Sequence, residues 1–85
     1  MKTIIKEVEG EGLEALLGKR VTLYCINYIY TGDLVGVNNT CVKLSNGGIV
    51  YDTGKHSEKD WLDYQPLPND WYVQTSAIES FGEFK

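Results

Sequence analysis

Residues 18–44, GKRVTLYCINYIYTGDLVGVNNTCVKL, decide the fold. In the first half Val21, Leu23 and Cys25 alternate with Thr22, Tyr24 and Ile26, the period of a strand with one buried face. A turn at Asn27-Tyr28 pairs Ile26 with Ile29, Cys25 with Tyr30, Leu23 with Gly32 and Val21 with Leu34. Opposed residues share a face, so Val21, Leu23, Cys25, Tyr30 and Leu34 fall together. Asn27 tolerates the positive φ of a tight turn and Tyr28 tolerates it badly, which leaves a longer loop open. The inward series of the second strand is then Tyr30, Gly32, Leu34, Gly36. Glycines on a concave face mark where a strand curls sharply, and the hairpin reads as part of a small barrel.

Composition sets the limits. The chain has 85 residues, enough for a single domain over residues 1–85 with a modest core. Six Tyr, two Trp and two Phe, with nine Gly, suit an all-β domain. No apolar stretch reaches membrane-spanning length, and the charged opening MKTIIKEVEGEG has no signal-peptide core, so a cytoplasmic protein without membrane partners is expected. Cys25 and Cys41 both sit beside apolar neighbours in expected strands, which reads as buried free thiols in a reducing compartment. The net charge is −4 and Arg20 is the one arginine, a balance that excludes a generic nucleic-acid binder.

Outward from the hairpin the organisation is simple. Residues 1–10 alternate poorly and read as an edge strand or an arm. Leu13, Leu16 and Leu17 have the spacing of a short amphipathic helix, with Glu11 and Glu14 at its start and Gly18 as its cap. Two turns do not stand alone, so this helix is expected to lie on the sheet. Asn38-Asn39 forms a turn before a third strand around Cys41 to Leu44. Asn46-Gly47-Gly48 is a second turn signal, after which Ile49-Val50-Tyr51 extends the sheet. Residues 52–70, DTGKHSEKDWLDYQPLPND, carry both prolines and read as a long loop insertion. Residues 71–75 and 77–81 form two short strands joined at Ser76.

A short helix ending in glycine, then Val21-Thr22-Leu23, then Y-x-G-x-L-x-G over Tyr30 to Gly36, resembles the first signature of the Sm-like family (Sm, Lsm and Hfq proteins). An Asn38 turn where aspartate is usual and Val42-Lys43-Leu44 continue that pattern. The closing YVQTSAIESF is similar to the second signature, and Ala77-Ile78-Glu79-Ser80 is closest to the Hfq style of ending. The resemblance implies a mostly β fold: an N-terminal helix, then a five-stranded, strongly bent antiparallel sheet forming a small barrel. It also implies a cyclic homo-oligomer of five to seven copies. Physical reasoning favours the same assembly, because a small open barrel leaves two unpaired edges that head-to-tail pairing would satisfy. The seam falls on Trp71, Tyr72, Val73, Ala77, Ile78 and Phe81.

In the family, RNA sits in pockets made by the loop after the second strand and the loop before the last. Carried over, these positions are Asn38 and Asn39 in the first loop and Gln74, Thr75 and Ser76 in the second. Asn38 stands where an acidic residue is usual, and Thr40 or Cys41 where a stacking group is usual. The Arg-Gly pair of Sm and Lsm proteins is missing. Gln74, Thr75 and Ser76 replace the Tyr-Lys-His run of Hfq with neither ring nor charge, whereas single-stranded RNA favours aromatic platforms and cations. Elsewhere Lys19-Arg20 reads as a solvated strand start, and His56 as a loop residue without a nucleophile beside it. Cys25, Cys41 and His56 lack metal-ligand spacing, and Asp60, Asp63 and Asp70 lack the glycine and closing glutamate of a calcium loop. Trp61, Tyr64, Trp71 and Tyr72 are expected to pack the long loop on the barrel or on a neighbour, the other reading being an aromatic surface for a partner or for stacked bases. No cofactor, metal or catalytic residue is assigned. Two functions are expected: an RNA-binding or RNA-chaperone-type ring, and a ring that serves as a structural or protein-interaction module without RNA.

Overall fold

A computed structural model describes residues 12–84. The expected arm over residues 1–10 lies outside them. The chain is mostly β, with strands β1 (Arg20–Cys25), β2 (Ile29–Val37), β3 (Cys41–Asp52), β4 (Asp63–Pro66), β5 (Trp71–Gln74) and β6 (Ile78–Glu83). They form one six-stranded antiparallel sheet in the order β4-β3-β2-β1-β6, with β5 added beside β3. The strand β3 is long enough to hold two partners on one edge. Its first residues, Cys41 to Leu44, pair with β5, and Gly48 to Asp52 pair with β4. The chain passes from β5 to β6 through one 3-10 turn, Thr75–Ala77. Among the described residues no ladder joins β5 to β6, so the sheet curls without closing into a barrel by hydrogen bonds.

The hairpin sits two residues from the expected register. Leu23 opposes Tyr30 and Val21 opposes Gly32. The Cys25 amide donates to the Tyr28 carbonyl at 3.0 Å, leaving Ile26 and Asn27 at the tip with no positive φ. Because the slip is even, Val21, Leu23, Cys25, Tyr30 and Leu34 keep their expected face, but beyond Leu34 a bulge at Val35 turns Val37 inward in place of Gly36. Val21, Leu23, Leu34, Val42, Leu44 and Val73 make the buried core, and Leu13, Leu16, Cys25, Tyr30, Val37 and Ile78 pack around it.

Three expectations are corrected. The two-turn helix is replaced by a single 3-10 turn, Leu13–Leu16. The Gly18 amide donates to the Leu34 carbonyl at 2.8 Å and the Leu34 amide to the Lys19 carbonyl at 2.9 Å, so the sheet captures the chain before a second turn can form. Leu13 and Leu16 still reach the core, while Leu17 is exposed. Asn46-Gly47-Gly48 is no turn; it lies within β3. There β3 spends Asn46 and Gly47 against Gly32 of β2, a bulge that bends the strand, and Asn46 takes φ 51°. A Cβ on Gly47 would stand 2.6 Å from the Thr31 carbonyl oxygen, so the two backbones touch where the sheet folds over. Finally, the 52–70 insertion contains a strand. Asp63–Pro66 pairs with β3, and Pro66 is tolerated because β4 has a ladder on one side. The sheet therefore has six strands, not five.

The remainder of that insertion folds back on the sheet. His56 lies 6.3 Å from Tyr24 and Trp61 5.3 Å from Phe84, measured between ring centroids. Thr22 and Thr31, on the face away from the core, are buried, and the Thr31 hydroxyl donates to the Val21 carbonyl at 2.9 Å. No helix among the described residues is long and apolar enough to cross a membrane.

Candidate nucleic-acid interface

The β2–β3 loop is built around one side chain. Asn38 Oδ1 accepts from the Thr40 amide at 2.8 Å, the Thr40 hydroxyl at 3.1 Å and the Cys41 amide at 2.9 Å. The Asn38 amide donates to the Cys41 carbonyl at 3.0 Å, closing the turn. Asparagine suits this work because its short amide reaches its own backbone two and three residues ahead. The turn is then fastened to the other end of the sheet. The Thr75 amide donates to the Thr40 carbonyl at 2.9 Å, and the Thr75 hydroxyl donates to the Asn39 carbonyl at 3.3 Å. Pairing of Cys41 with Gln74 continues the contact into the β3–β5 ladder.

A groove of about 640 Å³ lies where these loops meet, lined by Asn39, Thr40, Cys41, Tyr72, Gln74, Thr75 and Ser76. Four of the residues assigned from sequence, Asn39, Gln74, Thr75 and Ser76, come together there. Asn38 does not line the groove, since its oxygen is committed to the turn. The lining offers amide and hydroxyl donors and acceptors with no charged side chain. Such a set suits the edge of a base or another polar, planar group better than a phosphate.

Tyr72, in the groove wall, and Lys43, beside it, are not among the positions that the family resemblance assigns to RNA. Lys43 stands directly opposite Tyr72, on the face of the ladder away from Val42 and Val73. Lys43 Nζ lies 5.7 Å from the centroid of the Tyr72 ring and 3.6 Å from Asp70 Oδ2. Tyr72 is 63% exposed and forms part of the groove wall. The alternation of V-K-L and W-Y-V-Q puts both side chains on the face opposite buried Val42 and Val73. What the sequence lacked was the pairing of β5 on β3 that sets them side by side.

The seam residues divide into two groups. Val73 is buried and Ile78 packs against the core, so both serve the fold. Trp71 at 39% and Phe81 at 42% stay exposed with Tyr72, on strands that each have one ladder among the described residues, β5 with β3 and β6 with β1. Ala77 is half-buried in the 3-10 turn, and its carbonyl accepts from the Ile26 amide at 3.1 Å.

The charges of this surface are largely spent on one another. Lys19 Nζ meets Glu83 at 3.0 Å. Arg20 lies 3.4 Å from Asp33, donates to the Asn46 carbonyl at 3.0 Å and sits 5.6 Å from the Phe84 ring centroid. At the hairpin end, burial pushes the Cys25 thiol up. It does the same to the Tyr30 phenol, which the neighbouring Cys25, Tyr28 and Tyr51 raise further. Cys25 and Cys41 are free thiols, both half-buried. Among the described residues no group of three or more His, Cys, Asp or Glu side chains is placed to hold a metal ion. Compared with known proteins, the chain matches no family model and no curated relative.

Proposed function

We propose that this chain is an Sm-like subunit that joins copies of itself, β5 of one beside β6 of the next, into a cyclic homo-oligomer of five to seven copies. Each copy would then offer its uncharged groove to single-stranded RNA in the cytoplasm, with no catalytic role. One observation carries the reading. The strands β5 and β6 follow one another in the chain, and each has a single ladder among the described residues, with exposed aromatic side chains along it. Two different edges without a second partner among the described residues favour head-to-tail pairing, which closes on itself as a ring. The bent β3 and the curled sheet are in keeping with a Sm-like small barrel. The groove formed by the β2–β3 loop and the β5–β6 turn gathers most of the positions that the family resemblance assigns to RNA.

The test has two stages. Light scattering coupled to size exclusion should report a discrete oligomer of five to seven subunits, and a stable monomer would remove the ring. Labelled oligo-U and oligo-A, titrated at low salt, should then bind that oligomer.

A second reading is favoured by a specific observation. With a net charge of −4 and with Lys19, Arg20 and Lys43 each beside a carboxylate, the long-range field repels nucleic acid. A ring that acts as a structural or protein-interaction module follows if the oligomer forms and neither oligonucleotide binds.

A further inference from the structure

A groove lined by neutral amides and hydroxyls gives a base something to hydrogen-bond. Those amides and hydroxyls by themselves give no platform for the next base and no cation for the backbone. Both are supplied one step away, on the outer face of the β3–β5 ladder. The Tyr72 ring belongs to the groove wall, and Lys43, outside the lining, approaches that ring to 5.7 Å. The ladder holds the two residues in register, because Cys41 opposite Gln74 and Lys43 opposite Tyr72 are successive same-face pairs. Asp70, just before β5, lies 3.6 Å from the ammonium. Both members of this ion pair are substantially exposed, so solvent weakens it and a phosphate can compete for the lysine.

We propose that Tyr72 and Lys43 form a stacking step at the mouth of the groove, where one base of single-stranded RNA lies on the ring and its neighbouring phosphate meets the ammonium. Asp70 competes with that phosphate and sets the affinity low. The proposal rests on the RNA-binding reading above and adds to it the residues that would supply stacking and charge. It also gives the acidic balance of the chain a local consequence: a cation beside the groove is held in check by its own neighbour.

The experiment measures oligo-U binding by fluorescence anisotropy over a range of salt, with the elution volume of each variant recorded alongside. Tyr72→Ala should weaken binding by at least about fivefold, the lower end of base–aromatic stacking, and Tyr72→Phe should recover most of that loss. Lys43→Gln should weaken binding and reduce the slope of log K against log salt by about 0.7. Asp70→Asn should do the opposite and tighten binding about two- to fivefold, a gain that a merely structural role for this residue does not produce. Lys43 is half-buried with its ammonium end open to solvent and Asp70 is exposed, so these two variants report even where Tyr72→Ala disturbs the oligomer. If the wild-type protein binds oligo-U and the lysine and aspartate variants bind it equally well, the stacking step is overturned and the groove reading survives. Weaker binding by Asp70→Asn overturns the competitor role. A wild-type oligomer that binds no oligo-U at low salt overturns the RNA reading and this proposal together.

Discussion

Two glycines of β2, Gly32 and Gly36, look equivalent in the sequence and do different work in the fold. Around Gly32 the partner strand spends an extra residue, and the backbones come into contact. A Cβ on Gly32 would stand 3.0 Å from the Gly47 Cα and 3.1 Å from the Leu44 Cβ. Around Gly36 it is β2 that spends the extra residue, Val35, which is 51% exposed, and a Cβ on Gly36 would meet the Lys43 Cβ at an ordinary 3.4 Å. The first irregularity is a hinge on which the sheet folds over. The second changes the phase of the strand, so that Val37 and not Gly36 reaches the core. Glycine in a strand is therefore no single signal: its meaning depends on what the opposite strand places against it.

The hinge should be the harder of the two to break. Gly47→Val puts a branched side chain against the Thr31 carbonyl oxygen and should cost about 3 kcal/mol or more. A domain of this size has little reserve, so the variant should be largely unfolded at moderate urea. A urea midpoint close to wild type would show that β3 bends elsewhere. Gly32→Ala meets Cβ and backbone at 3.0–3.2 Å rather than 2.6 Å, and should fall below it at about 1–3 kcal/mol.

A similar contrast separates the adjacent asparagines. Asn38→Ala removes the acceptor of three hydrogen bonds and should cost about 1–2 kcal/mol, because the turn it closes also anchors Thr75. Asn39→Ala changes a groove-lining side chain and should leave the melting curve within about 0.5 kcal/mol. Equal losses at the two positions, measured by thermal melting, would remove the distinction between a residue that builds the loop and one the loop displays.

The core was legible and the bends were not, for one physical reason. Alternation at Val21, Leu23, Tyr30 and Leu34 survives a register slip of two, so the buried face could be read without the true turn. The helix over Leu13, Leu16 and Leu17 failed because its spacing says nothing about competing bonds from Leu34 and Lys19. Asn46-Gly47-Gly48 has the composition of a turn, and composition does not tell a reversal from a bulge: both want an αL residue and a bare Cα. The strand Asp63–Pro66 was hidden by a proline and by polar neighbours, since a strand with one ladder and two wet faces needs no apolar alternation. At the groove, loop residues could be assigned by position along the chain. Lys43 and Tyr72 could not, because their meeting depends on which strand β5 chooses.

Gly36→Ala should produce a smaller effect, and its sign matters more than its size. Gly36 has no positive φ and has room for a methyl group, so alanine removes freedom from the unfolded chain without straining the strand. The expected change is a gain of about 0.5 kcal/mol, read as a higher urea midpoint with an unchanged slope. A loss comparable to that of Gly32→Ala would restore the symmetry that the sequence suggests and would make both glycines hinges.

The smallest effect belongs to pH, and it compares two neighbours at the hairpin end, a thiol and a phenol. Cys25 and Tyr30 hold their protons more tightly in the folded chain than in the unfolded one. Their contribution is complete below the ordinary values of 9.0 for the thiol and 10.0 for the phenol. It is lost as pH climbs from those values through the raised ones, because the unfolded chain releases these protons first. Unfolding free energy should therefore decline above about pH 9, with the decline shallower in Cys25→Ser and in Tyr30→Phe. An alkaline decline as steep in Cys25→Ser and Tyr30→Phe as in the wild type would show that burial at the hairpin end does not hold these protons.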